Sequence, residues 1–335
     1  VNTIFDIITV GSNVIDVFVK TDPDESDLIR IKHGRLAPEE LIAYALGTKI
    51  IIKEMEFQIG GGGTNTGTAL ARLGLNTAYL GKIGEDENGL KVFNSLKKEG
   101  IKFIGTLGKQ NGYSVILDSV GNDRTILTFK GCNNDLTFAE LKKEQMKAKA
   151  FYLCSMMGES FTTLEHIAAH AKKQKALIAF NPSSYLVKEG IAKIKNILEK
   201  TDVLILNDEE AATLIGSGPV FVMAKKISEE GPKIVVITMG KKGVVAYDGK
   251  KFYEGKPPEH LVVHETTGAG DAFGSTFVAA LVLKKTIPEA MKMALINAES
   301  VIANYGAKNN LLDRKALEKR AKEDKRVIKQ STKVR

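Results

Sequence analysis

The sequence predicts an α/β protein: a doubly wound, mostly parallel sheet with helices on both faces and a small β-sheet lid. Three observations carry this expectation. From residue 149 onward, short continuous apolar runs alternate with amphipathic helical stretches, as in parallel sheets covered on both faces. The first third instead holds runs that alternate apolar and polar residues, as half-exposed strands do. No internal repeat, low-complexity linker or Pro-rich hinge separates the two parts, so the small sheet reads as an insertion into a single domain over residues 1–313.

Residues 7–10 form the first strand and run into Gly11, after which the apolar run resumes through Val14, Ile15, Val17 and Val19. Residues 49–57 alternate apolar and charged side chains. Gly121-Asn122-Asp123 supplies turn residues between the β-branched runs 113–119 and 124–129, which predicts a hairpin. The lid strands are therefore drawn from about 14–20, 49–58 and 113–130. The apolar runs 150–154, 177–180, 203–206 and 234–238 supply the parallel strands, whose carboxyl ends are where such sheets bind ligands. Residues 314–335 read as a basic C-terminal helix that frays into a charged tail.

A chain of 335 residues, 43% hydrophobic and 26% charged, can bury a full core and does not have the composition of a disordered protein. Its net charge of +8 is concentrated: residues 314–335 hold ten Lys or Arg against three Asp or Glu, which leaves the body nearly neutral. A basic surface that tracks nucleic-acid phosphates is excluded for the body, and the tail reads as solvated charge or as an RNA-binding arm. Two cysteines, Cys132 and Cys154, make no disulfide framework. His166 and His170 have ligand-like i, i+4 spacing, but no Glu follows His166 as in the metalloprotease arrangement, so a zinc site is not expected. No secretory signal and no run of ~20 apolar residues is visible, and the expectation is a cytoplasmic protein with no membrane contact.

The chemistry concentrates in 265–274, Glu-Thr-Thr-Gly-Ala-Gly-Asp-Ala-Phe-Gly, just before an apolar helix. Small residues there let the backbone approach a ligand, and the unpaired amides of the first helical turn bind anions. Asp271 at the mouth of that turn serves either as a helix cap or as a base that takes a proton from an attacking hydroxyl. No Gly-x-x-x-x-Gly-Lys-Ser/Thr occurs, which excludes the P-loop, and no Gly-x-Gly-x-x-Gly follows the first strand, which disfavours a dinucleotide dehydrogenase.

The 265–274 segment resembles the second signature of the ribokinase-like carbohydrate kinases, the pfkB family; 60–65, Gly-Gly-Gly-Gly-Thr-Asn, is similar to the first. The turn 84–89 and the Asn207-Asp208-Glu209-Glu210 element follow in the family's order, as does the loop 238–243. The resemblance spans roughly residues 7–310. It implies an ATP-dependent phosphotransferase acting on a hydroxyl of a small sugar or nucleoside, with Asp271 as base and the amides of Gly268, Ala269 and Gly270 as anion hole. Substrate would meet Asp16, Gly61, Gly62, Asn65 and Arg124. ATP would meet Asn207, Glu210, Thr238, Gly240 and Gly243, with Asn297 beside adenine. Mg²⁺ would be held through water by Glu210, and a monovalent cation such as K⁺ by Glu265 and Thr267. Gly62 stands where ribokinases carry Lys and Val14 where they carry Asn, which sets ribose behind other sugars. A ribonucleoside kinase would need an apolar slot, with Phe18, Phe57, Tyr113 and Phe129 as candidate walls. A non-catalytic sugar- or nucleotide-binding regulator is the alternative of a different class, and the exposed lid strands offer a surface for a homodimer.

Overall fold

A computed structural model describes residues 4–21, 28–31, 39–42, 46–47, 49–118, 124–258, 260–261, 266–303 and 308–332. The chain opens with β1 (Phe5–Val10), β2 (Val14–Thr21), the short antiparallel pair β3 (Leu28–Ile31) and β4 (Glu39–Ile42), and the long β5 (Ile52–Gly60). Next come α1 (Gly62–Arg72), β6 (Thr77–Leu80), β7 (Lys82–Gly84), α2 (Glu87–Lys98), β8 (Lys102–Phe103) and β9 (Thr106–Gly108), then the hairpin of β10 (Gly112–Asp118) and β11 (Arg124–Phe129). Strand and helix alternate through β12 (Ala148–Cys154), α3 (Glu159–Lys173), β13 (Leu177–Asn181), α4 (Ser183–Val187), α5 (Ile191–Leu198), β14 (Val203–Asn207), α6 (Asp208–Ile215), α7 (Val220–Ser228) and β15 (Ile234–Thr238). The chain ends with β16 (Val244–Tyr247), β17 (Phe252–Gly255), α8 (Ala269–Val282), α9 (Ile287–Ile302), α10 (Arg314–Glu323) and β18 (Lys329–Ser331).

Ten strands form the main sheet in the order β18-β17-β16-β15-β14-β13-β12-β1-β6-β8. The seven from β15 to β8 are parallel, and β16 to β18 add an antiparallel edge. Alternate residues of each parallel strand are buried on opposite faces, which is why these runs are continuously apolar. Phe151 and Leu153 pack against Phe161 and Leu164 of α3, while Ala150 and Tyr152 face Phe273 and Phe277 of α8. The doubly wound, mostly parallel sheet expected from the sequence is therefore present.

The lid is a four-stranded sheet ordered β11-β10-β2-β5. Ile15, Val17 and Val19 cover Val92 and Leu96 of α2, so one lid face completes a separate small core. Asp86 caps α2 by accepting from Gly89 N and holds Asn111 N as well, which ties the start of β10 to that helix. The predicted Gly121-Asn122-Asp123 turn lies outside the described residues.

The C-terminal stretch departs from the expected fraying tail. Leu317 of α10 is fully buried and β18 pairs antiparallel with β17. Arg326 grips Glu299 of α9 with two hydrogen bonds of 2.6 and 2.8 Å and also reaches Asp324. Residue 313 is thus no structural boundary. Counting charges revealed an uneven distribution but not that Arg326 is paired with an acid of the body. Among the described residues, no helix is long and apolar enough to cross a membrane.

Candidate functional site

The order of the parallel strands reverses between β1 and β12: the chain runs outward through β6 and β8 on one side, then through β13, β14 and β15 on the other. Strand ends diverge at such a switch point and leave a crevice at the carboxyl edge. A cleft of about 290 Å³ lies there, lined by Ser12 after β1, Cys154 and Ser155 at the end of β12, and Asn181 at the end of β13. The lid contributes Val14 and Asp16, the start of α1 contributes Gly61, Gly62 and Asn65, and α8 contributes Asp271.

Glycine is required where these elements meet. Gly61 has φ +96, and a Cβ there would sit 2.5 Å from the Ser12 carbonyl oxygen. At Gly60 a Cβ would lie 1.8 Å from Asp16 Oδ2, so the missing side chain is what makes room for the Asp16 carboxylate. Gly268 adopts the left-handed conformation, φ +78, that turns the chain into α8.

Asn65 and Asp271 join the two helix starts: Asn65 Nδ2 donates to Asp271 Oδ2 at 2.9 Å. Because the carboxylate can only accept when ionised, this bond fixes which end of the Asn65 amide is oxygen. That oxygen, Oδ1, is buried and meets no partner among the described residues, on a residue only 8% exposed that lines the cleft. A buried acceptor left unmatched is costly, and its natural complement is a hydroxyl donor in the cleft. Burial raises the Asp271 carboxyl above the usual range, while the Asn65 hydrogen bond and the charge of Lys308 pull it back. Burial that favours the proton-bound form, with a donor and a cation that favour the ionised one, suits the carboxylate to accept a proton.

The amides at the start of α8 are not all equivalent. Ala269 N donates to the Thr266 carbonyl at 3.2 Å, closing a turn, so the expected three-amide anion hole loses Ala269. No described residue accepts from the amides of Gly268 and Gly270.

The predicted nucleotide residues gather at the neighbouring strand ends, where Asn207 and Thr238 are register partners of β14 and β15. Asn207 caps α6: its Oδ1 accepts from Glu210 N at 2.7 Å, and Glu210 Oε2 accepts from Asn207 N at 3.0 Å. Burial raises the Glu210 carboxyl, and the nearby charges of Glu209 and Asp271 push the same way. Gly240 and Gly243 have φ +53 and +104 in the connection to β16; a Cβ on Gly243 would sit 2.2 Å from the Gly255 carbonyl oxygen.

Asn297 lies elsewhere. It is 0% exposed, donates to Thr276 Oγ1 at 2.8 Å and accepts from Leu312 N at 2.9 Å. The reading that put it beside adenine gives way to a buried tie between α8, α9 and the segment before α10, because both ends of its amide are already matched. Glu265 and the side chain of Arg124 lie outside the described residues; Arg124 opens β11 opposite Asp118. Thr267 stands in the turn before α8, outside the cleft lining.

Sequence reasoning missed Lys130, Asn133, Asn134, Ser155, Asn181, Ser183 and Tyr185 in the cleft. Ser155 and Asn181 were accessible through the rule that ligands meet parallel strands at their carboxyl ends. Lys308 carried no such signal, yet its charge acts on both Asp16 and Asp271.

Residues 34–314 match the profile described as pfkB family carbohydrate kinase. An uncharacterized sugar kinase of Archaeoglobus fulgidus is 28% identical over 250 residues, 72% of this chain and 97% of that relative. Among solved structures, ribokinase from Thermotoga maritima superposes with TM-score 0.78 at 23% identity, over 96% of this chain and 100% of the other. Arabidopsis thaliana ribokinase complexed with ribose and ATP gives TM-score 0.77 at 22% identity, over 96% of this chain and 99% of the other. The two structural likenesses establish the fold.

Proposed function

The chain belongs to the pfkB family of carbohydrate kinases, and on that premise we propose that it transfers the γ-phosphoryl group of ATP to a hydroxyl of a small sugar or sugar derivative, with Asp271 as the base. The observation that carries this reading is the Asn65–Asp271 pair: a carboxylate and an orphaned amide oxygen sit together in the cleft, beside a helix start with unpaired amides. The acceptor hydroxyl gives its proton to Asp271 as it attacks phosphorus. Asn65 Oδ1 and Asp16 accept from neighbouring hydroxyls and hold the ring in line. Positioning and charge stabilisation supply most of the rate in such transfers. The amides of Gly268 and Gly270 face the charge on the migrating phosphoryl group.

ATP lies along the carboxyl ends of β14 and β15, against Asn207, Thr238, Gly240 and Gly243. The acids present fit Mg²⁺: the charges of Glu209 and Asp271 add to burial in raising the Glu210 carboxyl, a cost that a cation relieves, and magnesium needs few carboxylates because it retains water. Glu210 would hold it through water, and bound there the ion neutralises phosphate charge.

A sugar is favoured over a nucleoside by the walls. Phe57 pairs with Val17, and Tyr113 with Ile15 and Phe129, so all three occupy the lid face opposite Asp16. Phe18 shares the Asp16 face but does not line the cleft, where Tyr185 is the one aromatic ring among the described residues. The test is ADP release against a panel of neutral sugars, sugar acids, sugar monophosphates and ribonucleosides. Sugar-dependent release supports the reading; turnover confined to ribonucleosides, or none at all, overturns it.

A further inference from the structure

Every charged side chain in the cleft except one is an acid. Asp16 and Asp271 are the carboxylates, and Lys130 is the cation. Among the described residues, Lys130 has no ion pair; its Nζ lies 3.9 Å from the centre of the Tyr185 ring. A cation over an aromatic face is held weakly at a partly exposed site and is easily surrendered to an anion.

Both members of this pair are anchored to the rigid edge of the sheet. Asn133, 2% exposed, donates to the carbonyls of Lys130 and Asn13 at 2.8 Å each, and its Oδ1 accepts from Asn13 N at 2.9 Å. The backbone at Lys130 is thereby fixed to the β1–β2 junction that also presents Asp16. On the other side, Ser183 Oγ bonds Ser155 Oγ at 2.8 Å, which pins the start of α4, and with it Tyr185, to the end of β12. Such bracing presets a donor pair rather than leaving a surface lysine free to wander.

We propose that Lys130 and the Tyr185 hydroxyl form an anion subsite, and that the acceptor is a sugar carrying a carboxylate or phosphate group. The inference rests on the kinase reading above and narrows its substrate class. A neutral sugar would leave the ammonium with only the Tyr185 ring to face, whereas an anionic one enters a cleft lined by two carboxylates and needs a lining cation to receive it. Lys130 resolves both conditions at once: it pairs the substituent charge while the opposite end of the cleft holds the reacting hydroxyl.

The test is a steady-state comparison, on the full chain, of an aldose, the corresponding aldonic acid and the corresponding aldose monophosphate, with ATP saturating and then varied. The expected result is that kcat/KM favours one anionic acceptor over the neutral sugar by about tenfold or more, and that which one it favours distinguishes carboxylate from phosphate. Lys130→Gln should reduce that preference by about tenfold, and Lys130→Arg should restore most of it. The proposal is overturned if the wild-type enzyme prefers the neutral sugar, if Lys130→Gln leaves the preference unmoved, or if that variant raises KM for ATP rather than for the acceptor. Turnover of none of the three acceptors would overturn the kinase reading along with it.

Discussion

Asn65 Nδ2 reaches Asp271 Oδ2 at 2.9 Å across 206 residues of sequence, so the first turns of α1 and α8 are held in register by a single charge-assisted hydrogen bond. The bond leaves Asp271 poised toward the cleft. If Asp271 is the base, Asp271→Asn retains ATP affinity but loses about 10²- to 10⁴-fold in kcat. Isothermal titration with ATP alongside turnover checks both halves, and near-normal kcat would remove the assignment.

The same substitution should raise stability. Burial lifts the folded-state carboxyl above its ordinary 3.8, so between that value and its folded pKa the native state binds more protons than the unfolded chain. Stability therefore falls as pH rises from the ordinary value to the folded pKa, and the penalty is fully present above it. Asp271→Asn removes it, and thermal melts should show a higher Tm than wild type at pH 7, with the gap closing as pH falls toward 4.

Asn65→Ala should move the acid limb of the pH–rate profile upward. The Asn65 amide favours the ionised form of Asp271, so its loss lets burial raise the carboxyl further and activity disappears at a higher pH. An unshifted limb would mean that some other group governs it.

Gly60→Ala separates binding from chemistry. The added methyl would lie 1.8 Å from Asp16 Oδ2, and the atom displaced is the end of a flexible side chain rather than backbone. The fold should tolerate the change while the Asp16 carboxylate swings away from its place. KM for the acceptor should rise about tenfold or more, as when a hydrogen bond to a charged group is lost, with KM for ATP little altered.

These outcomes rest on relationships of unequal visibility in the sequence. Continuous apolar runs marked the parallel strands because burial on both faces leaves no polar alternation, and alternating runs marked the lid for the converse reason. The glycines of 60–63 and 268–270 showed where backbone approaches a ligand, because only a residue without Cβ permits it. Which side of the lid Phe57 and Tyr113 occupy was not legible. Pairing register decides it, since a slip of one residue exchanges the faces. The burial of Asn297 was hidden likewise: an amide between two helices and an amide beside a base look the same in one dimension. Lys130 became informative only once the fold placed it over Tyr185.

Lys308 provides the pH-dependent prediction furthest from the reacting atoms. Its carbonyl accepts from Arg72 Nη1 at 2.8 Å, while Arg72 grips Glu99, so the residue is fixed at the end of α1. Burial pushes its ammonium down to about 8, aided by Arg72 and opposed by Glu99, Asp16 and Asp271. The unfolded chain keeps that proton up to the ordinary 10.5, so between about 8 and 10.5 it binds more protons than the native state and stability rises with pH. Below 8 the cost of the buried charge is fully present. Lys308→Met should therefore raise Tm at pH 7 by more than at pH 10. It should also lift the Asp271 carboxyl, because the ammonium helps hold that group ionised, and so shift the acid limb of activity in the same direction as Asn65→Ala. A Tm difference independent of pH, with the acid limb unmoved, would show that the ammonium contributes neither charge to the site nor cost to the fold.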